Sequence, residues 1–261
     1  GSFEYPSVKF EEAKIILALD SDFLGNEGSY IENMRKYASK REVVGKTEFN
    51  RLYVAEGRLS STGMMADYRF RISPGSQLSF VYSLINELIL TGAVMHPDAA
   101  VRNKVAGHSL SKFGQKEKLS SLIRDLIDNR EKSIIYAGET LPKEVHIAVN
   151  LLNDLLGNSA LYDYTSVYKT QIQHSKRDDF ERLIDSMNNS RVGVVIHFDA
   201  NPVYTLPADY GYKNALKKVG TVVSLTEAEN ETSEAGNYTL PIKHTFESWG
   251  DAYTRSGVYS L

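Results

Sequence analysis

Acidic and amide side chains follow the short apolar runs of this sequence, and these residues could do chemistry. Asp20 and Asp22 come after the first run, Glu56 after the second, and Asp199 with Asn201 after a later one. If the runs are parallel strands, their carboxyl ends meet at one sheet edge, where open α/β folds bind nucleotides. The same residue types also cap helices and stabilise turns. The sequence alone leaves both interpretations open.

Other well-known catalytic patterns do not occur. The 261 residues include no cysteine, so they offer no thiolate to an iron–sulfur cluster or another metal. The histidines form no HxH or HxxxH pair, and there is no GxSxG nucleophile motif. Neither phosphate-binding pattern, GxGxxG or GxxxxGK[ST], is found, and the segment with Gly25 and Gly28 is interpreted as a plain loop. Trp249, the single tryptophan, is expected to be a packing anchor.

The apolar runs predict the strands that must position these residues. Continuous apolar runs are typical of strands buried on both faces of a parallel sheet. Five are predicted: Ile15–Leu19, Arg51–Ala55, Ser133–Ala137, Val192–Ile196 and Thr221–Leu225. Helical spacing predicts the helices between them: 29–39, Leu78–Leu90, one opening at His96–Asp98, Gln115–Ile127, Pro142–Leu156 and one ending at Leu216–Lys218.

This alternation predicts an α/β protein with doubly wound, mainly parallel sheets and helices on both faces. We expect one domain fragment over residues 3–261, with sub-lobes at 3–130 and 131–261. The sequence shows no internal repeat to inspection, and 159–175 is not assigned to a helix or strand.

Composition excludes several classes of function. Charged residues make up 24% of the chain and the net charge is −3, so no strong positive field favours nucleic acid. No apolar run approaches the roughly 20 residues that span a bilayer, so we expect no direct membrane insertion.

Several segments together resemble the molybdopterin oxidoreductase (dimethyl sulfoxide reductase) family. One part of the resemblance is a strand with an acidic end, a Thr-containing turn, an Ala-Asp pair and a Pro-Gly turn. A second part is an Asn-Pro loop with a Glu-Thr and Leu-Pro ending. The segments are Tyr53–Glu56, Ser61-Thr62, Ala66-Asp67, Ser73–Gln77, Asp199–Pro202, Glu231-Thr232, Tyr238–Pro241 and Glu247–Gly250.

The sequence resembles one branch of that family more closely, the molybdopterin-like half of the iron–sulfur subunit of alternative complex III. The matching segments are Leu19–Gly25, Asn50–Val54, Gly63–Asp67, Ala137–Glu139, Leu156–Asn158, Asn201–Tyr204 and Phe246–Asp251. The resemblance implies a bacterial respiratory complex on the periplasmic side of the inner membrane, with cytochrome and membrane subunits as partners. It also implies that the iron–sulfur clusters lie elsewhere in the full-length chain and that this half holds no molybdenum cofactor.

Two departures from the catalytic family agree with that implication. Gln77 stands where the family has an acidic residue that pairs with guanine, and Glu56-Gly57 replaces its Asp-Pro after the strand. A vestigial pocket would be lined by Asp20, Glu56, Gln77, Asp199 and Asn201.

Three hypotheses about function remain. The first is a non-catalytic scaffold with no catalytic or metal-binding residue. The second is a fragment of an active molybdopterin-dependent oxidoreductase of the polysulfide or thiosulfate reductase type, which would bind molybdopterin guanine dinucleotide. The third is a retained mononucleotide site with a regulatory role.

Overall fold

The computed structural model describes residues 4–42, 45, 49–73, 75–96, 98–169, 175–255 and 257–261. They form two compact units. The N-terminal unit comprises Pro6–Val167, and the C-terminal unit comprises Tyr168–Leu261 with the first five residues. The sub-lobe boundary expected at 130/131 falls inside the N-terminal unit, between a helix and the strand that follows it.

Residues 4–169 contain strands and helices in alternation. In chain order they are β1 (Glu4–Val8), β2 (Ile15–Leu19), α1 (Tyr30–Ala38), β3 (Arg51–Glu56), α2 (Ser61–Met64), β4 (Tyr68–Arg71), α3 (Gln77–Leu90), α4 (Ala99–Ala106), α5 (Lys116–Asp128), β5 (Ser133–Ala137), α6 (Lys143–Leu155) and β6 (Tyr162–Lys169). Short 3₁₀ turns cover Leu110–Phe113 and Asn158–Leu161.

The core of the N-terminal unit is a parallel sheet with the strand order β4-β3-β2-β5. The chain passes from β2 to β3 to β4 on one side, and α3, α4 and α5 then carry it back to β5 on the other side of β2. The winding direction therefore reverses between β2 and β5. Ligands of open α/β sheets bind outside the carboxyl ends of the strands at such a reversal.

Apolar side chains bury both faces of this sheet. Leu17 and Leu19 of β2 belong to the cluster formed with α3, α5 and α6, whereas Ile16 and Ala18 belong to the cluster with Phe10, Phe23 and Tyr37. This alternation is what a strand between two layers requires. It confirms the doubly wound, mainly parallel fold predicted from the apolar runs.

Residues 175–261 contain a smaller parallel sheet with the strand order β7-β8-β9. In chain order the elements are α7 (Arg177–Asn188), β7 (Val194–Phe198), α8 (Pro202–Thr205), α9 (Tyr212–Leu216), β8 (Thr221–Thr226), α10 (Glu231–Glu234), β9 (Tyr238–Pro241), β10 (Ala252–Arg255) and β11 (Val258–Ser260). Helices α7 and α9 pack on one face through Ile184, Met187, Tyr212 and Leu216. β10 and β11 form an antiparallel hairpin, which departs from the parallel pattern.

The predicted elements agree with most of these bounds, with some corrections. The fourth predicted strand begins at Val194 rather than Val192, and β4, β9 and α7 were not predicted. Asp98 caps the helix expected at His96–Asp98 by accepting a hydrogen bond from the Ala100 N–H, while Pro97 lies outside the described residues. The expectation for Trp249 is wrong, since its side chain is fully exposed and anchors no packing.

The expectation of no internal repeat is also wrong. The segment β3–α2–β4 corresponds residue by residue to β8–α10–β9 at an offset of 170 positions. The strand registers show it. Tyr53 pairs with Tyr68 and Glu56 with Arg71 in the first copy. Val223 pairs with Tyr238 and Thr226 with Pro241 in the second, each 170 positions later. Only a few side chains are identical in the two copies, which is why the repeat does not stand out in the sequence.

Candidate functional site

The carboxyl edge of the N-terminal sheet holds a cavity at the point where the winding direction reverses. Its volume is about 370 Å³. Five carboxylate residues line it together with Arg58, polar side chains and one leucine: Asp20, Asp22, Asn26, Glu27, Glu56, Ser60, Glu139, Thr140 and Leu141. An acidic lining favours cations and repels anions.

Asp20 sits at the end of β2 in a left-handed backbone conformation, with φ of 40°. Its backbone N–H donates to the Ala55 carbonyl at 2.9 Å, and its carboxylate accepts from the Gly57 N–H at 2.9 Å. Burial raises the pKa of the Asp20 carboxyl, the charge of Glu56 raises it further, and the Gly57 hydrogen bond opposes the rise. The fold therefore holds Asp20 against the cavity in a position that disfavours its charge.

Glu27 is a second lining residue whose charged form is disfavoured. Burial raises the pKa of the Glu27 carboxyl and the charge of Glu139 raises it further, although a hydrogen bond from the Ser21 hydroxyl opposes the shift. That hydroxyl donates to Glu27 at 2.6 Å. In two of the five lining carboxylates, burial and to a lesser extent a neighbouring carboxylate thus raise the pKa.

Glu56 at the end of β3 is buried, with 1% of its surface exposed, but it has hydrogen-bond and ion-pair partners. The Ser60 hydroxyl donates to it at 2.7 Å, and the Arg69 Nε–H donates at 2.5 Å. A Cβ atom added at Gly63 would lie 2.0 Å from the Glu56 carboxylate, so only glycine fits there while Glu56 keeps this position. Glu56 is therefore a structural group of the edge as well as part of the lining.

The first turn of α2 is already bonded to the protein itself. The Asp22 carboxylate accepts from the Thr62 N–H at 2.8 Å and from its hydroxyl at 2.9 Å. Ser60 caps the same turn by accepting from the Gly63 N–H at 2.9 Å, and the Thr62 hydroxyl accepts from the Leu24 N–H at 3.0 Å. Free N–H groups at a helix start commonly bind phosphates, but these donate to side chains of the chain itself.

The C-terminal unit repeats this arrangement at the ends of β7 and β8. Asp199 has φ of 45° and donates its N–H to the Leu225 carbonyl, as Asp20 does to Ala55. The Asn201 side-chain oxygen accepts from the Thr232 N–H at 3.2 Å and from its hydroxyl at 2.7 Å. The Asn201 amide group also donates to Glu231 at 2.7 Å. The polar atoms of Asn201 thus hold the loop after β7 to α10.

The predicted site residues are distributed between the two units. Asp20 and Glu56 line one cavity, whereas Asp199 and Asn201 belong to the equivalent edge of the C-terminal unit. Gln77 begins α3, is only 2% exposed and does not line the cavity. Its neighbour Pro74, part of the predicted Ser73–Gln77 turn, lies outside the described residues.

The sequence placed Asp22 and Glu139 at predicted strand ends but did not include them in the predicted lining, and it did not select Glu27 or Thr62. Threonine occurs at the second position of both short helices, Thr62 and Thr232, 170 residues apart. That recurrence is the one sequence signal that could have identified the bonded turns. Within the described residues, no group of three or more His, Asp or Glu side chains is arranged to hold a metal ion. No helix of the described part of the chain is long and apolar enough to cross a bilayer.

Comparison with known proteins identifies the fold. The structure superposes on acetylene hydratase from Pelobacter acetylenicus with a TM-score of 0.61, at 13% sequence identity over 94% of this chain. In sequence, the chain is 25% identical over 277 aligned positions to the molybdopterin-binding-like subunit of a menaquinone reductase from Nitratidesulfovibrio vulgaris. That alignment covers 96% of this chain.

The chain has a molybdopterin-oxidoreductase-like fold. The predicted resemblance to the molybdopterin oxidoreductase family is thereby confirmed at the level of the relationship and the fold, while the resemblance to one branch of it stays a prediction. No family model matches the chain. The chain spans 40% of the length of the curated relative and 42% of the acetylene hydratase chain, so both relatives contain much additional polypeptide.

Proposed function

We propose that this chain is a non-catalytic scaffold portion of a larger molybdopterin-oxidoreductase-like subunit in a quinone-linked electron-transfer complex. Its curated relative is named as a molybdopterin-binding-like subunit of a menaquinone reductase, which supports a role inside such a complex. On this proposal the domain supports neighbouring polypeptide and does no redox chemistry itself.

The observation that carries the proposal is the state of the carboxyl edge at the β2–β5 reversal. Five carboxylates line the cavity there, and the N–H groups of Thr62 and Gly63 donate to Asp22 and Ser60. A pterin guanine dinucleotide carries an anionic diphosphate, and such groups are held by free backbone N–H groups and positive charge. The residues present at this edge do not fit that group.

Magnitudes favour exclusion of a diphosphate. Two like charges 4 Å apart at an effective dielectric constant of about 20 repel by about 4 kcal/mol. A helix start attracts an anion by about 0.3–1 kcal/mol at an exposed position, and by up to about 2 kcal/mol when partly buried. Arg58 on the lining, and Arg69 through its ion pair with Glu56, would offset part of the repulsion, but two cations do not balance five carboxylates. Asp20 and Glu56 are therefore proposed as remnants of a pocket that no longer accepts the cofactor.

The remaining predicted residues support the same conclusion. Gln77 is buried and does not line the cavity, so it presents no hydrogen-bonding edge to a guanine there. The side-chain oxygen and amide of Asn201 are engaged by Thr232 and Glu231. A ligand that recruited Asn201 would break these bonds, at a cost of about 1–3 kcal/mol for each buried group left unpaired.

The finer setting follows from the family resemblance and is proposed with the scaffold role. The parent subunit would belong to alternative complex III or a close counterpart, on the periplasmic side of a bacterial inner membrane. Iron–sulfur clusters would lie in another part of that subunit, because this chain has no cysteine to ligate them. Cytochrome and membrane subunits would be the docking partners.

The alternative function is that of a fragment of an active molybdopterin-dependent oxidoreductase of the polysulfide or thiosulfate reductase type. The observation in its favour is the cavity itself, which lies at the reversal point with Arg58 on its lining. Asp20 and Glu56 would then contact the dinucleotide in the assembled protein.

A calorimetric titration with guanosine diphosphate separates the two proposals. We expect a dissociation constant no tighter than about 1 mM. This limit corresponds to a binding free energy of about 4 kcal/mol in favour of the complex. As a matched control, the Asp20→Asn, Glu27→Gln, Glu139→Gln triple variant keeps the cavity shape and removes three charges. It should bind the diphosphate better than the unmodified chain. Micromolar binding by the unmodified chain would contradict the scaffold proposal and support either the active oxidoreductase or the retained mononucleotide site.

A further inference from the structure

One face of the C-terminal sheet is bare and apolar. Ile196 and Phe198 of β7 are 64% and 71% exposed, and Tyr238 and Leu240 of β9 are 61% and 49% exposed. The strand register places them in two rows, Ile196–Val223–Tyr238 and Phe198–Leu225–Leu240. Helices α7 and α9 cover the opposite face through Val195 and Val222. A contiguous exposed apolar patch on a sheet face marks an interaction surface.

The repeat identifies what covers the same face in the N-terminal unit. The matching positions there include Leu17, Leu19 and Phe70, each at most 1% exposed. They belong to the cluster formed with α3, α5 and α6, to which α3 contributes Phe80, Val81, Leu84, Ile85 and Leu88. Phe70 contacts Phe80 with ring centroids 6.0 Å apart. Helices therefore bury this face in one copy of the repeat, with α3 against Phe70.

The C-terminal unit also has an open strand edge where the N-terminal unit has a paired one. β2 lies between β3 and β5, whereas the described residues give its counterpart β7 only one neighbour, β8. After β9 the described chain forms a 3₁₀ turn and a hairpin, with Phe246 and Trp249 almost fully exposed. Neither a counterpart of α3 nor one of β5 occurs among the described residues of this unit.

We propose that an α-helix followed by a β-strand, from the same polypeptide but outside residues 1–261, completes the C-terminal sheet. The helix covers the face formed by Ile196, Phe198, Tyr238 and Leu240, and the strand pairs with the free edge of β7. This inference rests on the proposed function, because it assumes that the chain is part of a larger subunit. It adds the surface that holds the two parts together and the kind of element that binds there.

Length and connectivity favour the same polypeptide over a second copy. The chain spans 40% and 42% of the two relatives, so proteins of this fold carry ample additional sequence. A covalently linked segment has a high effective concentration at the surface and needs little intrinsic affinity. A second molecule of this chain would bring another bare sheet face. In the N-terminal unit, by contrast, helices cover the corresponding face.

Thiol accessibility tests the proposal, since the chain has no cysteine of its own. Ile196→Cys reports on the bare face, Lys217→Cys on an exposed position at the end of α9, and Ser224→Cys on the helix-covered face of the sheet. Maleimide labelling rates would be measured by mass spectrometry for residues 1–261 alone and for the protein expressed from its complete gene.

In residues 1–261 we expect Ile196→Cys to react as fast as Lys217→Cys. In the complete protein its rate should fall at least about tenfold, because the helix must open before the thiol reacts. Lys217→Cys should stay fast and Ser224→Cys slow in both. Equal labelling of Ile196→Cys in both proteins would overturn the proposal. So would concentration-dependent protection in residues 1–261 with a dimeric mass, which would assign the face to a second copy. Neither result depends on whether guanosine diphosphate binds, so the scaffold proposal is tested separately.

Discussion

At the scale of single residues, the cavity edge is maintained by pairs of side chains that constrain each other. Gly63 is required because the Glu56 carboxylate occupies the space of its missing Cβ. In the other copy of the repeat, Thr226 and Ser233 stand at these two positions. A smaller residue at the strand end thus accompanies a larger one on the helix. The size of one side chain determines what the other can be.

Gly63→Ala should destabilise the N-terminal unit by about 1–3 kcal/mol, the usual cost of overpacking. Glu56 cannot move aside freely, because Ser60 and Arg69 hold it in place. Urea unfolding would measure the loss. The double variant Glu56→Thr, Gly63→Ser, which reproduces the pair of the C-terminal unit, should recover part of it. Gly107→Ala is the control, since a Cβ there meets no atom within 4 Å.

Asp20→Asn should stabilise the chain at neutral pH. The raised pKa of Asp20 means that folding penalises its charged form, so the stability from this group is complete below its unfolded pKa and is lost as the pH rises through its folded pKa. Asparagine keeps the acceptor for the Gly57 N–H and tolerates positive φ. The melting temperature at pH 7 should rise by a few degrees. The gain over the unmodified chain should shrink towards pH 4, and a gain that instead grew on acidification would contradict the assignment.

At the scale of elements, the loop after β2 is fastened to α2 by hydrogen bonds, and the loop after β7 is fastened to α10 in the same way. Asp22 and Thr62 do this in the N-terminal unit, and Asn201 and Thr232 do it in the C-terminal unit. A carboxylate and an amide play the same part because each offers an oxygen to the threonine N–H and hydroxyl. Both also engage the threonine N–H group at the start of the short helix.

Thr62→Val and Thr232→Val should each destabilise their own unit by about 1–3 kcal/mol. Both hydroxyls are fully buried, and each accepts from a backbone N–H, of Leu24 and Val203 respectively, that valine would leave unpaired. Amide hydrogen exchange would locate the loss in the unit that carries the change. Thr239→Val, at an exposed position of β9, should have little effect. If either variant increased amide exchange equally in both units, the hydrogen bonds would not be acting locally.

The sequence predicted the strands that carry continuous apolar runs. The predicted bounds of β2, β3, β5 and β8 agree with the structure to within one residue. β4 and β9 were missed because they are four-residue strands without a continuous apolar run, as the charged Arg69 and Arg71 of β4 illustrate. Asp20 and Glu56 could be placed on one edge from strand order alone. The engagement of Asn201 and the burial of Gln77 could not, since both depend on contacts between distant segments.

At the scale of the whole molecule, the chain combines a doubly wound unit whose sheet is covered on both faces with a smaller parallel unit that we propose to be incomplete. Both have the molybdopterin-oxidoreductase-like arrangement of parallel strands with polar residues at the carboxyl edge. Their functional difference from cofactor-binding relatives is proposed to lie in charge and in the bonded helix starts, since the strand framework itself is kept. A fold can thus persist as a framework after its crevice has changed chemistry.

The metal and pterin content of the protein expressed from its complete gene tests the central proposal most directly. Elemental analysis for molybdenum and tungsten, with fluorescence detection of oxidised pterin released by acid, would be performed on the purified protein. Iron in the same sample would serve as a control for cofactor loading. We predict molybdenum, tungsten and pterin at the level of the buffer blank. One molybdenum or tungsten atom per chain, accompanied by pterin, would contradict the account.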